Sequence, residues 1–242
     1  MLSNFGYTCR LMYERMIPLS ATMKRVSRPT RAPSSAKKLY SSQKGKKSGK
    51  TQSTNSPGQI RIIGGQWRGR KLPVLNAEGL RPTTDRNKET LFNWLMPYIN
   101  DARCLDVFAG SGGLGLEALS RYAAHCDFIE LDKQAASQLK SNLTLLKANE
   151  LASATVHQGD ALGILKGISQ APYDIVFVDP PFAKSLVAPT LAALEDNKLV
   201  HSGSVVYLEH ESALNTPALP AHWQIIKDKQ TSALRYMLIE VC

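Results

Sequence analysis

From residue 102 onward, short apolar runs alternate with longer segments whose apolar residues recur every three or four positions. The short runs "RCLDVF", "HCDFIEL", "ATVHQ", "YDIVFV" and "GSVVYLEH" predict β-strands. Between them, "GLGLEALSRYAA", "KQAASQLKSNLTLLKAN", "DALGILKGIS" and "SLVAPTLAALEDNKL" predict helices. Strands that alternate with helices imply crossover units and a parallel sheet covered on both faces. The closing stretch "WQIIKDKQTSALRYMLIEV" predicts two more strands, an antiparallel hairpin that turns at the polar "KDKQTS". The expected fold is α/β, with a seven-stranded, mostly parallel sheet.

Ahead of this rhythm the pattern is weaker. "IRIIGGQWRGRKLPV", residues 60–74, places short apolar runs around Gly64, Gly65 and Gly69 and predicts a small β-hairpin. "LRPTTDRNKETLFNWLMPYI" predicts a helix capped by Thr84 or Asp85, with Leu91, Trp94 and Leu95 on one face. Residues 24–58 are rich in Ser, Lys, Thr, Gly and Pro and carry too little apolar surface to offset the entropy of ordering. The expected organisation is a disordered basic tail over 1–59, a hairpin and helix over 60–101, and the α/β domain over 102–242. Met23 opens the tail cleanly, so translation starting there, with residues 1–22 left untranslated, is the favoured reading. A transit peptide is the other option.

Charge sharpens this division. Residues 1–60 carry 12 Lys and Arg against the single acid Glu14, whereas 61–242 carry 18 basic and 19 acidic residues. Within that body, residues 61–88 hold seven basic residues and two acids. A basic tail followed by a basic segment suits a phosphate backbone, although a tail of like charges can equally be a solubilising segment. Cys9, Cys104, Cys126 and Cys242 form no CxxC, which argues for reduced thiols in a cytosol-like compartment and against a zinc ribbon or disulfide scaffold. No apolar run is long enough for a membrane span, and no metal is expected.

The candidate chemistry sits at strand ends, where such sheets bind ligands. "DVFAGSGGLG" follows the first strand, and Gly110, Gly112 and Gly115 match GxGxxG. Glycines there permit a tight turn and close backbone approach to a ligand at a helix N-terminus. Glu130 in "FIELD" lies 20 residues past Gly110, a spacing suited to ribose hydroxyls, while Asp132 is placed to cap the next helix. Asp160 in "QGDA" could meet an adenine amino group or simply cap a helix. These features admit both a nicotinamide dinucleotide and S-adenosylmethionine. "DPPF" after the fourth strand separates them. Asp179 and the Pro180 carbonyl offer two acceptors, Pro181 helps stiffen them, and Phe182 offers a stacking face worth roughly 1–3 kcal/mol per base. That set suits a planar ring bearing an exocyclic amino group.

In this order, "DVFAGSGGLG", "FIELD", "GDA" and "DPPF" resemble the class I S-adenosylmethionine-dependent methyltransferases of exocyclic amino nitrogens, which have a Rossmann-like fold. "RIIGGQWRGRKL", "LRPTTDRNKETLFNWL" and "YLEHE" resemble, more narrowly, the bacterial 16S ribosomal RNA guanine-N2 methyltransferase family RsmD, over residues 60–242. The resemblance implies that Asp106, Gly110, Gly112 and Gly115 hold the methionine part of S-adenosylmethionine, and that Glu130 holds its ribose. Asp160 and Ala161 would flank its adenine. It implies that Asp179, Pro180 and Phe182 act on the target guanine, 966 in the RNA, and that Arg81 and Thr83 line the cofactor or RNA side. Arg61, Arg68, Arg70, Lys71, Arg81, Arg86 and Lys88 are the candidate phosphate contacts. The implied partner is 16S ribosomal RNA in a partly or fully assembled small subunit, met by a cytoplasmic monomer. The main alternative is adenine-N6 methylation of DNA or RNA, which uses the same DPPF. An NAD(P) oxidoreductase leaves DPPF unexplained, and a non-enzymatic RNA-binding protein leaves both it and the glycine loop unexplained.

Overall fold

The computed structural model describes residues 58–74, 85–150, 152–168 and 171–242. The readings placed on the tail up to residue 57 and on Arg81, Thr83 and Thr84 lie outside the described residues, whereas Gly58 and Gln59, assigned to the tail by sequence, are ordered by pairing in the first strand. β1 (Gly58–Arg61) and β2 (Lys71–Val74) form the expected antiparallel hairpin, with Arg61 opposite Lys71 and Gly58 opposite Val74. Helix α1 follows (Asp85–Trp94). The alternating part supplies β3 (Arg103–Asp106), α2 (Gly115–Ser120), β4 (His125–Glu130) and α3 (Lys133–Leu145). It continues through β5 (Ser153–Gln158), α4 (Ala161–Ile164), β6 (Tyr173–Val178) and α5 (Val187–Asp196). β7 (Val200–Glu211), β8 (Trp223–Gln230) and β9 (Leu234–Val241) complete it.

The seven strands of the main sheet lie in the order β5-β4-β3-β6-β7-β9-β8. β3 to β7 are parallel, and β9 runs antiparallel to both its neighbours. The chain starts in the middle at β3, builds outward through β4 and β5, then returns to β6 on the other side of β3. The β3–β6 boundary is the switch point, where two crossovers part and leave a crevice at the carboxyl edge.

Strand alternation sorts the core into two layers. Cys104, Phe128, Ile175, Phe177, Tyr207 and Leu238 face α1, α2 and α3, together with hairpin residues Ile60, Ile62, Trp67 and Leu72. Leu105, Val176, Val178, Leu208 and Ile239 face Leu165 beyond α4 and Leu191 and Leu194 of α5. The expected turn at "KDKQTS" is displaced: Lys227 to Gln230 belong to β8, and the chain reverses at 231–233. β8 is the outer strand, so most of its side chains face solvent and polar residues occupy it at little cost.

The hairpin is fastened to α2 by a buried acid. Glu117 is fully buried and accepts from the backbone N–H groups of Ile63 and Gly64, at 2.8 Å each, and from Arg121 Nε at 2.8 Å. Lys88 Nζ lies 3.8 Å from it and donates to the Arg61 carbonyl at 2.7 Å. Next to this cluster Gly65 adopts φ +70° and lies so close to Ser120 that a Cβ would stand 1.7 Å from its carbonyl oxygen. Lys88 therefore holds the hairpin and is withdrawn from the phosphate-binding set; burial lowers its pKa, with the Glu117 charge opposing.

No helix among the described residues is long and apolar enough to cross a membrane. Cys104 and Cys126 are buried free thiols, and Cys242 is an exposed one.

Candidate active site

Because β3, β4, β5 and β6 are parallel, the segments that follow them emerge on one edge. The glycine loop, Glu130, Asp160 and Asp179 are therefore neighbours along that edge, and β3 and β6 set the glycine loop beside DPPF.

The glycine loop is shaped by its backbone. Gly110 and Gly112 adopt φ of +52° and +80°, and the Gly112 N–H donates to Ala109 O at 2.7 Å. Gly115 is needed for packing: a Cβ there would meet Phe128 Cε1 at 2.2 Å and Cys126 Sγ at 2.8 Å. The third glycine thus lets α2 lie directly on β4. Asp106, at the end of β3, is buried and accepts from the Gly115 N–H at 3.0 Å. Burial pushes its carboxyl up to about 7; the Gly115 hydrogen bond works against this and the Glu130 charge with it.

Glu130 accepts from the Gly110 N–H and the Asp132 N–H, each at 2.7 Å. Its carboxylate is thereby held against the glycine loop, with lone pairs remaining for hydroxyl donors. Asp132 caps α3 by accepting from the Ala135 N–H at 2.8 Å. Asp160 caps α4 by accepting from the Gly163 N–H at 2.8 Å, and Ala161 is buried as the first residue of that helix. A loop of positive-φ glycines, a fixed carboxylate beyond the neighbouring strand and a buried acid beneath them fit a nucleoside with a cationic tail.

Asp179 follows β6 and is partly buried, Pro180 is buried, Pro181 is exposed, and Phe182 is 42% exposed. Burial, followed by the charges of Glu209 and Asp106, pushes the Asp179 carboxyl well above the usual range. Beyond Phe182, Ala183 and Ser185 take positive φ, 57° and 50°, and the Ala183 N–H donates to Glu211 Oε1 at 2.8 Å. Glu211 therefore pins a strained turn behind the base-stacking candidate.

The β7 acids Glu209 and Glu211 were not among the sequence candidates. The signal was the alternation in "YLEHE", which puts Tyr207, Glu209 and Glu211 on one face of a strand buried from Ser204 to His210.

The hairpin loop that carries Arg68 and Arg70 falls elsewhere. In parallel α/β units the helices run back, so their C-termini lie at the amino edge of the sheet. Arg70 donates to Leu145 O, at the last residue of α3 (3.3 Å), and the Gln66 N–H donates to Ser120 O, at the last residue of α2 (2.8 Å). The 13-residue α3 spans about 20 Å, so Arg70 stands roughly that far from the Glu130 edge. Arg68 and Arg86 are exposed, and Arg61 is paired with Asp85 at 2.8 Å.

The sheet order, the switch-point crevice and this edge of loops define a class I methyltransferase fold. The family described as Conserved hypothetical protein 95 matches residues 60–240. The chain is 52% identical over 185 residues to "Ribosomal RNA small subunit methyltransferase D" of Escherichia coli K12, covering 76% of this chain and 90% of that protein. It is 47% identical over 192 residues to the protein of the same name from Haemophilus influenzae, covering 79% and 98%. The solved structure of Escherichia coli yhhF superposes with a TM-score of 0.70 at 49% identity, covering 76% of this chain and 98% of that one. The chain belongs to the RsmD family.

Proposed function

We propose that this protein transfers a methyl group from S-adenosylmethionine to the exocyclic N2 of guanine 966 in 16S ribosomal RNA, working as a cytoplasmic monomer on an assembling or assembled small subunit. The observation that carries this reading is DPPF standing beside the glycine loop across the β3–β6 switch. The names of the relatives support the RNA class.

S-adenosylmethionine supplies an activated methyl group, so the protein's task is positioning. Glu130, already fixed by two backbone amides, takes the ribose hydroxyls, and the Gly110–Gly115 turn receives the methionine part above Asp106. Asp160 and Ala161 flank the adenine. Asp179 and the Pro180 carbonyl accept the two amino hydrogens of the guanine, which draws the N2 lone pair out of the ring and favours the charge that develops on it. Phe182 stacks on the base, which must be unpaired or extruded, with Pro181 beside it on the substrate side; by family resemblance Arg81 and Thr83 would line the cofactor or RNA side. Holding donor and acceptor in line supplies the entropic part of the rate gain.

Asp106 gives a pH prediction. Its folded-state value, about 7, lies above the ordinary one, so the neutral acid predominates below pH 7 in the free protein. A cationic ligand favours the carboxylate. S-adenosylmethionine affinity is expected to rise as pH goes from 6 to 8, by up to about tenfold per unit below 7. Titration calorimetry in buffers of different ionisation enthalpy should show proton release, and Asp106→Asn should remove it.

Arg68 and Arg70 contact RNA phosphates a helix length from the reacting base. Reversing both charges is expected to weaken RNA binding and lower the salt slope by about two, with kcat at saturating RNA preserved. An unchanged slope would remove this patch from the interface. The function itself is tested with tritiated S-adenosylmethionine and small subunits from a strain lacking the activity, with transfer RNA and DNA in parallel. Label entering the ribosomal RNA alone is the expected result, and label entering only DNA or transfer RNA would overturn it.

A further inference from the structure

We infer that Glu209 is a positioning residue of the transfer: its carboxylate, fixed by Tyr207 beside Asp179, makes Asp179 the base that takes the proton released from the amino group. The inference rests on the reading above that Asp179 receives that amino group.

The placement comes from the sheet. Val178 of β6 is in register with Leu208 of β7, so the next positions, Asp179 and Glu209, stand side by side at the carboxyl edge. Alternation puts them on the same face as Phe177 and Tyr207, the face covered by α1. Glu209 is 5% exposed, and the Tyr207 hydroxyl donates to its Oε2 at 2.6 Å. Burial and the Glu209 charge keep that phenol protonated and therefore a donor.

Most other groups around the pair have their own engagements. Asp106, at the end of neighbouring β3, acts on Asp179 only through its charge and accepts from the Gly115 N–H. Tyr236 of β9, the cross-strand neighbour of Glu209, packs its ring on Trp94, and its buried hydroxyl has no hydrogen-bond partner among the described residues. On α1, Phe92 packs on Phe177, and Lys88 is committed to the Arg61 carbonyl and Glu117. Glu211 receives the Ala183 N–H, and His210 points to the opposite layer and bonds the Glu211 carbonyl. A carboxylate so close to Asp179 disfavours a second negative charge and strengthens Asp179 as a base.

The proton balance is complete. The N2 lone pair forms the N–C bond as the C–S bond breaks, and the bonding pair stays on sulfur. N2 then carries one proton too many. That proton passes to the Asp179 carboxylate and reaches water as the product leaves.

The test is the pH profile of kcat, at saturating RNA and S-adenosylmethionine, for wild type, Glu209→Gln, Glu209→Asp and Asp179→Asn. Glu209→Gln keeps shape and an acceptor for Tyr207 but removes the charge. Its acidic limb is expected to move down by a pH unit or more, with kcat on the alkaline plateau falling at least tenfold and S-adenosylmethionine affinity unchanged. Glu209→Asp keeps the charge and should hold the limb near its wild-type position. An acidic limb unmoved by Glu209→Gln, with Asp179→Asn inactive, would overturn the role of Glu209 alone. Full turnover by Asp179→Asn would instead remove the parent reading.

Discussion

Replacing Asp179 with alanine or asparagine is expected to lower kcat by roughly a hundred- to ten-thousandfold, the range found when a positioned acid–base or charge-stabilising group is lost. S-adenosylmethionine should still bind, because the glycine loop and Glu130 are fastened to each other and not to Asp179. The same change should stabilise the fold. Burial and the Glu209 and Asp106 charges raise the Asp179 carboxyl above its unfolded value. A raised carboxyl costs stability as pH climbs from the unfolded value, near 4, toward the folded one. Asp179→Asn removes that cost, so its melting temperature at pH 7 should exceed that of wild type. Lost turnover with gained stability marks a residue kept for chemistry. Thermal melts and single-turnover assays on the same preparation check both signs.

The second large effect is structural. Glu117→Ala is expected to destabilise the protein by about 3–5 kcal/mol, because it leaves the buried Lys88 and the partly buried Arg121 without their shared carboxylate. The N–H groups of Ile63 and Gly64 lose their acceptors as well. For a chain of this size the melting temperature should fall by roughly 6–20 °C. Glu117→Gln retains one acceptor oxygen and should lose less. A drop of under about 2 °C for the alanine variant would mean that the hairpin is held by its apolar contacts alone. Ile62, Trp67 and Leu72 are the residues that would then carry it.

The sheet was legible in the sequence because buried parallel strands are nearly continuous apolar runs bounded by turn residues. "YDIVFV" could hardly be anything else. β8 was only half legible: as the outer strand it carries Lys227, Asp228 and Lys229, which look like a turn until the pairing with β9 is known. The edge of loops was legible because topology alone sends four consecutive strand ends to one side. Lys88 and Glu117 were not. Each sits on a helix as an ordinary charge, and only the arrival of residues 61–64, some 27 to 54 positions away in sequence, buries them together. The place of Arg70 was hidden for a related reason. Its charge suits phosphate, but only the packing of the hairpin on the C-terminal ends of α2 and α3 shows that it stands far from the base. Glu209 lay in a quoted motif, yet its meaning depends on the β6–β7 register, a long-range fact.

If DPPF grips the amino group of one guanine, digesting small-subunit RNA methylated in vitro and locating the new methyl group by mass spectrometry, to nucleotide and atom, will reveal it. The expected product is a single N2-methylguanine, absent when Asp179→Ala replaces the wild type. A methyl group on adenine N6, on a ring nitrogen or on a ribose oxygen would contradict it, while leaving the fold and the cofactor crevice standing.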